Sequence, residues 1–91
     1  MPEWTVQAKR DLQEHLTHIA NEDPDAARHM AMLLKVCCAE LDEFPKVGCP
    51  CAVKDAHELV IPDTAYTCVY RIVKRRVEIL RLLHTRRMWP E

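Results

Sequence analysis

The sequence predicts an α+β fold in which an N-terminal antiparallel helix hairpin packs on a small antiparallel β-sheet of three or four strands. Apolar residues recur with the 3.6-residue period of a helix over residues 6–21 and again over 24–43. Beyond Gly48, the only glycine, apolar and polar residues alternate with the period of two that is typical of strands. The connections are short, so successive elements are expected to pack against one another antiparallel.

The first helix is predicted over residues 6–21. Leu12, Leu16 and Ile19 recur at spacings of four and three, which places them on one helical face. Ala8 and Ala20 extend this stripe, while four charged residues are expected to lie mostly away from it: Lys9, Arg10, Asp11 and Glu14. A short leading strand is expected around residues 4–6, where Thr5 is also placed to cap the helix.

The second helix is predicted over residues 24–43. Asp23 is a natural N-cap, and Pro24 suits the first helical position because the N–H that it lacks would have no partner there. Its apolar stripe continues the helical period through these residues: Ala27, Met30, Leu34, Cys37 or Cys38, and Leu41. Phe44 and Pro45 end the pattern.

Three strands are predicted over about 57–61, 66–73 and 77–84, with Pro62-Asp63 as a turn signal. In the second strand one face carries Tyr66, Cys68, Tyr70 and Ile72. In the third, the alternation predicts that one face carries Val77, Ile79, Arg81 and Leu83. The arginines Arg71 and Arg81 therefore interrupt a largely apolar sheet. Each is expected either to form a salt bridge within the fold or to face a partner, because a guanidinium needs an acceptor.

The length of 91 residues predicts one domain, 1–91. No apolar run approaches the roughly 20 residues that span a bilayer, and MPEWTVQAKR contains no apolar signal region. We therefore expect a cytoplasmic protein without a membrane partner. Charge is unevenly distributed: residues 71–91 hold seven Lys/Arg against two acids, and residues 1–70 hold six against twelve. This polarity suggests that the C-terminal hairpin is the working surface, suited to an anionic partner.

The five cysteines do not predict a metal site. Cys49 and Cys51 form a C-x-C, whereas structural zinc usually needs a C-x-x-C. His57 and Cys68 would complete a set only if the fold brought them there. We expect no metal and no cofactor, with Cys37 or Cys38, and Cys68, as small core residues.

The segment that ends the chain carries His84, Arg86, Arg87 and Trp89. The histidine beside two arginines is compatible with a general acid/base next to phosphate-binding cations. It is also compatible with a surface histidine beside solvated arginines, or with a histidine bonded to a backbone carbonyl. Trp4 and Trp89 are expected to be packing anchors. The other histidines of the predicted helices, among them His15, are expected to face solvent.

A series of short motifs resembles the RelE/ParE toxin superfamily over nearly the whole chain. It comprises Trp4-Thr5, Ala8, Asp11-Leu12, Ile19-Ala20, Pro24-Asp25-Ala26-Ala27, Glu43-Phe44-Pro45, Gly48, Glu58-Leu59-Val60-Ile61-Pro62, Ala65-Tyr66, Val69-Tyr70-Arg71, Val77-Glu78-Ile79-Leu80-Arg81, His84, Arg87 and Trp89-Pro90. The resemblance implies two helices on a three- or four-stranded sheet and the toxin half of a bacterial type II toxin–antitoxin pair. It also implies a cognate antitoxin, acidic and partly disordered, that neutralises the toxin. Operator DNA is then expected to be bound only through this antitoxin.

The superfamily has two activities, and the resemblance is closer to the ParE branch, whose members are thought to poison DNA gyrase. RelE-like members cut mRNA on the ribosome, and Thr67 stands where those nucleases typically carry an arginine. Glu58 and Val60 fall roughly where their strand lysines are expected. Cys49, His57 and Met88 depart from the ParE pattern in turn.

The resemblance therefore implies a non-enzymatic gyrase inhibitor with no catalytic residues. Its expected partner-binding residues are Arg71, Arg81, His84, Arg86, Arg87 and Trp89. The alternative is a ribosome-dependent mRNA endonuclease, with His84 as general acid/base and Arg71, Arg81 and Arg87 stabilising phosphate charge. A third possibility is a degenerate, non-toxic member that only binds an antitoxin.

Overall fold

The computed structural model describes residues 2–50, 55–61 and 64–84. In chain order the elements are β1 (Glu3–Trp4), α1 (Val6–Glu22), α2 (Pro24–Glu43), β2 (Cys49–Pro50), β3 (Ala56–Val60), β4 (Tyr66–Val73) and β5 (Arg76–His84). Among the described residues, neither helix is both long and apolar enough to cross a membrane.

The strands form one sheet in the order β1-β5-β4-β3-β2. All neighbours are antiparallel except β1, which runs parallel to β5 and pairs Glu3 with Glu78 and Trp4 with Ile79. The α+β class is confirmed, but the expected three or four strands were too few, since the described residues form five. β1 corresponds to the leading strand expected around residues 4–6, and the strand that was not predicted is β2, whose two residues are too few to show an alternating pattern.

Both helices begin at a capping side chain. The Thr5 hydroxyl accepts a hydrogen bond from the Ala8 N–H at 3.1 Å, and the Asp23 carboxylate accepts from the Asp25 N–H at 3.0 Å. The Asp23 N–H also donates to the Ile19 carbonyl at 2.7 Å. One residue therefore ends α1 and caps α2, which reverses the chain and produces the predicted helix hairpin.

The hairpin packs on one face of the sheet and encloses the main core. The strand residues in this core are Tyr66, Cys68, Tyr70, Val77, Ile79 and Leu82, and α2 adds Met30, Leu34, Cys37, Cys38 and Leu41. The predicted burial of Cys68 and of one of the adjacent cysteines is confirmed, and both Cys37 and Cys38 are buried. A second, smaller cluster lies on the other face of the sheet and joins Ala56, Val69 and Leu83.

A β-bulge in β5 changes which residues face the helices. Val69 pairs with Arg81, but the next residue, Tyr70, pairs with Ile79, so Leu80 is the extra residue. The predicted alternation, which put Arg81 and Leu83 on the same face as Ile79, was therefore wrong beyond the bulge. Leu82 enters the main core in their place.

Tyr70 anchors the connection between α2 and β2. Its hydroxyl donates to the Pro45 carbonyl at 2.8 Å and accepts from the Gly48 N–H at 2.9 Å. A Cβ at Gly48 would meet the Tyr70 hydroxyl at 2.6 Å and the Glu58 carbonyl oxygen at 2.8 Å. The only glycine is therefore required by close packing.

Candidate functional site

Arg81, one of the candidate partner-binding residues, is joined to Asp11 of α1. Its Nε donates to Asp11 Oδ2 at 2.7 Å and its Nη2 to Oδ1 at 3.3 Å. The arginine side chain is 24% exposed and the aspartate side chain 7%. Of the two roles left open by the sequence, the structure shows the salt bridge within the fold.

Asp11 is held ionised by the groups around it. Burial alone would raise the pKa of its carboxyl group, but hydrogen bonds from Arg81, the Leu82 N–H and Gln7 outweigh burial and lower the pKa below its ordinary value. The expectation that Asp11 lies away from the apolar stripe was wrong. Its spacing gave a usable signal, since Ala8, Asp11, Leu12 and His15 follow the i, i+3, i+4, i+7 pattern of one helical face.

β1 pairs with β5 only as far as Ile79. Beyond this residue, side chains from the N-terminal part of α1 and its cap form hydrogen bonds with the backbone of β5. The Thr5 hydroxyl donates to the Leu80 carbonyl at 3.1 Å. Asp11 Oδ2 accepts from the Leu82 N–H at 3.0 Å, and His15 Nε2 donates to the Leu82 carbonyl at 2.8 Å. His15 was expected to face solvent; it is half-buried because it replaces a strand partner.

His84, the candidate acid/base, lies at the end of β5 opposite Tyr66. Its ring meets the Tyr66 ring edge-on with centroids 5.3 Å apart. On the other side of the tyrosine, His15 packs with centroids 4.6 Å apart. Three rings from β5, β4 and α1 thus form one column on the helix side of the sheet.

Arg71 lies on the opposite face of the sheet and pairs across the strands with Glu78. Its Nε donates to Glu78 Oε1 at 2.7 Å, and its Nη2 lies 2.7 Å from the same oxygen. The arginine side chain is 49% exposed. Within the fold it too has a carboxylate partner, but its guanidinium stays accessible to solvent.

The candidates among the described residues, Arg71, Arg81 and His84, do not meet in one site. Arg71 is five residues from Tyr66, the partner of His84, which corresponds to roughly 17 Å along a strand. The two side chains also belong to opposite faces of the sheet, because successive strand residues alternate. The remaining candidates, Arg86, Arg87 and Trp89, lie outside the described residues.

The described cysteines and histidines do not converge on a metal site. Cys49 pairs with Glu58 while Pro50 pairs with His57, so Cys49 and His57 point to opposite faces of the sheet. Within residues 2–50, 55–61 and 64–84 no group of three or more potential ligands is close enough to hold an ion. Cys51 lies outside the described residues.

A family model for the ParE toxin of the type II toxin–antitoxin system parDE matches residues 3–89. This chain belongs to the ParE toxin family. The match spans both helices and all five strands, so it covers Asp11, Arg71, Arg81 and His84 alike. The predicted membership of the RelE/ParE superfamily is confirmed, and the chain is a toxin-type component of a type II toxin–antitoxin system.

This ParE-family chain has sequence relatives, one of them named RelE, and a structural neighbour from a ParDE system. It is 39% identical over 88 residues to Y4kP of Sinorhizobium fredii, a protein named as a toxin candidate. The alignment covers 97% of this chain and 91% of the relative. It is 33% identical over 85 residues to toxin RelE2 of Caulobacter vibrioides, with 93% and 94% covered. A chain of the chromosomal ParDE TA system from P. aeruginosa superimposes with a TM-score of 0.81 at 20% identity, over 90% of this chain and 91% of that one. The superposition shows that the two share a fold.

Proposed function

We propose that this ParE-family protein is a non-enzymatic toxin that inhibits DNA gyrase and is neutralised by a cognate antitoxin. The observation that carries the proposal is the separation of Arg71 from His84. A general acid/base and the cations that stabilise the charged phosphate must all reach one phosphodiester, within hydrogen-bond distance of its reacting atoms. Residues on opposite faces of the sheet and roughly 17 Å apart along it do not meet this requirement.

The engagement of the two strand arginines supports the same proposal. Arg81 is committed to Asp11, and Arg71 has Glu78 beside it. A phosphate arriving at either guanidinium would compete with a carboxylate already in place. Thr67, where the nucleases of the superfamily typically carry an arginine, supplies no cation at that position.

An acidic antitoxin suits the charge distribution of the chain. Seven of the thirteen Lys/Arg residues fall within residues 71–91, which hold two acids. Because the candidate contacts lie on both faces of the sheet, a partner reaching them all must wrap the domain, as a segment that folds on binding does.

A gyrase assay tests the target directly. Purified protein, freed from its partner, is added to gyrase with relaxed plasmid DNA, and supercoiling and trapped cleavage products are followed on gels. We expect loss of supercoiling or accumulation of cleaved DNA, and we expect the cognate antitoxin to reverse the effect. Undisturbed supercoiling at several-fold molar excess of active toxin would refute the gyrase assignment.

A second experiment separates the proposal from the nuclease alternative. Cellular mRNA is mapped after induction of the wild type, of His84→Ala, and of a control, His18→Ala, whose side chain is exposed on α1. We expect growth arrest without codon-specific cuts in the wild type and the control. Codon-specific cuts that disappear only in His84→Ala would instead establish an endonuclease.

A further inference from the structure

A second candidate surface lies at the end of the sheet far from the pair formed by Tyr66 and His84. There the turn joining β4 to β5 comes next to the segment that follows α2. Between them is a shallow cavity of about 640 Å³, whose apolar wall includes Phe44, Val47 and Ile72. Lys46 and Arg75 also line it. We call this region the hairpin-tip surface.

The apolar part of this surface is open to solvent. Phe44 is 58% exposed and Val47 45% exposed, although an aromatic side chain of this size gains considerable stability from burial. Phe44 is the C-cap of α2, and its backbone N–H donates to the Glu40 carbonyl at 2.7 Å, so its main chain is held at the end of the helix. Apolar area grouped around a concave site and rimmed by charges is typical of a contact surface.

The turn that borders the cavity has an unusual composition for its backbone. Lys74 and Arg75 have φ angles of 50° and 68°, the left-handed region at both central positions of a two-residue hairpin. Turns of this kind strongly favour Asn-Gly, because most side chains are strained there. This chain instead has two cationic residues at the tip. Strained backbone conformations of this kind occur preferentially at functional sites.

We propose that the hairpin-tip surface docks an acidic protein segment that inserts one apolar side chain between Phe44 and Ile72. The cations Lys46 and Arg75 beside the cavity, with Lys74 next along the turn, favour carboxylates flanking that anchor. Glu43 also lines the cavity, so the acidic residues of the segment are expected on the side of the cations. The mainly apolar wall favours a peptide over a nucleic acid, whose binding draws chiefly on cations along a backbone.

This inference rests on the proposed function for its biological partner, the antitoxin, and adds a docking point separate from the candidate residues Arg71, Arg81 and His84. β4 spans roughly 24 Å between the two ends of the sheet. A segment engaging both ends gains avidity, because the second contact forms intramolecularly once the first is made.

The probe for the test is a fluorescently labelled peptide of glutamates and leucines, followed by anisotropy with the full chain at low salt. Two peptides serve as controls: one with serine in place of leucine and one with lysine in place of glutamate. We expect binding of the first peptide alone, weakening as salt is added. This readout needs neither gyrase nor the antitoxin, so a failed gyrase assay leaves it intact, and a failed peptide assay leaves the proposed function intact.

Two variants separate binding from folding. K74N/R75G installs the residues that the turn prefers, so its melting temperature is expected to stay equal or rise while peptide affinity falls roughly tenfold. F44S is expected to weaken binding by a similar factor, since it removes the aromatic wall. The matched controls are K9Q/R10Q, which removes two exposed cations of α1, and V36S, which removes an exposed apolar side chain of α2.

Each variant is compared at a temperature at which circular dichroism shows it folded. Unchanged affinity in both K74N/R75G and F44S would overturn the proposal, as would equal losses in the two controls. A single-stranded oligonucleotide that binds more tightly than the peptide, and loses affinity in K74N/R75G but not in F44S, would show a nucleic-acid surface instead. Self-association abolished by F44S would show that a second copy covers the cavity.

Discussion

Arg81 and Asp11 are 70 residues apart in the chain, yet two hydrogen bonds join the guanidinium of β5 to the carboxylate of α1. The same carboxylate accepts the Leu82 N–H at 3.0 Å. It therefore links the helix layer both to the side chain and to the backbone of β5. A residue that the sequence offers as a partner contact is thus also part of the framework.

Asp11→Asn is expected to lower the free energy of unfolding by about 2–4 kcal/mol. The amide matches the carboxylate in shape but removes the negative charge that faces the partly buried Arg81, and breaking such a pair from one side is costly. Urea denaturation measures the change. The control is Asp25→Asn, whose partner Arg28 forms an exposed pair on α2, where a loss under about 1 kcal/mol is expected. Equal losses in the two variants would contradict the structural role of Asp11.

The stability of the wild type is expected to depend on Asp11 most strongly above pH 4. The pKa of this carboxyl is lowered in the folded chain, whereas an unfolded aspartate has a pKa of about 3.9. Its contribution is therefore complete above the unfolded value and is lost as pH falls through the folded value. The difference in unfolding free energy between wild type and Asp11→Asn should shrink as the pH falls below the unfolded pKa of about 3.9 and through the lower folded value. A difference in unfolding free energy that grows as the solution is acidified would contradict the lowered pKa of Asp11.

The two strand arginines are expected to respond differently to removal of charge. Arg71→Gln should change the free energy of unfolding by under about 1 kcal/mol, because the Arg71 side chain is 49% exposed and solvent screens its pair with Glu78. Arg81→Gln should cost about 2 kcal/mol or more, because it removes the guanidinium that balances the charge of the buried Asp11 carboxylate. Thermal or urea unfolding of both variants gives the comparison. If Arg71→Gln loses growth arrest or antitoxin affinity, the loss can be attributed to a contact that Arg71 makes with a partner. The same loss in Arg81→Gln must first be corrected for the fraction of the variant that is unfolded.

Gly48→Ala is expected to destabilise the protein by about 1–3 kcal/mol through overpacking. The added methyl group would approach both the Tyr70 hydroxyl and the Glu58 carbonyl oxygen. Tyr70→Phe removes the hydroxyl but keeps the Glu58 carbonyl oxygen and the ring carbon Cε1, which lies 2.9 Å from the added Cβ, so the double variant should lose somewhat less than the sum of the two single losses. A double-mutant cycle by urea unfolding measures this coupling. Strict additivity would show that the two residues do not compete for the same space.

The described cysteines are expected to differ sharply in reactivity. Burial raises the pKa of the Cys68 thiol to about 12, and it raises the pKa of Cys37 and Cys38. Cys49 is exposed. Since the thiolate is the reactive form, iodoacetamide at neutral pH should label Cys49 in the native protein and the buried three only after unfolding. Peptide mass spectrometry measures each site, and rapid native labelling of Cys68 would show that the main core opens readily.

The sequence predicted long elements better than short ones. Both helices and three strands were placed within about one residue, because each repeats its hydrophobic period several times. β1 and β2 have two residues each, and their pairing with β5 and β3 depends on tertiary contacts that no local pattern records. The bulge at Leu80 likewise cannot be read from alternation, and one extra residue reverses every later side chain.

The site was less predictable than the fold for a related reason. Arg81 was recognised as a residue in need of an acceptor, but Asp11 was assigned to the solvent side of α1 on charge alone. His15 was misassigned in the same way, because its role is to satisfy a carbonyl of β5 on a strand distant in sequence. Polar side chains that bond to the backbone of a strand distant in sequence cannot be told from surface residues until the topology is known.

The parallel pairing of β1 with β5, at opposite ends of the described chain, has a consequence for the timing of folding. During synthesis the helix hairpin emerges first, without the strand that holds Thr5, Asp11 and His15 in place. Non-local contacts of this kind delay folding, because the loop between them must close before they contribute stability. A nascent copy consequently cannot present a finished binding surface until β5 has been made. Translation of β5 is therefore the step at which this toxin first acquires the shape that an antitoxin has to meet.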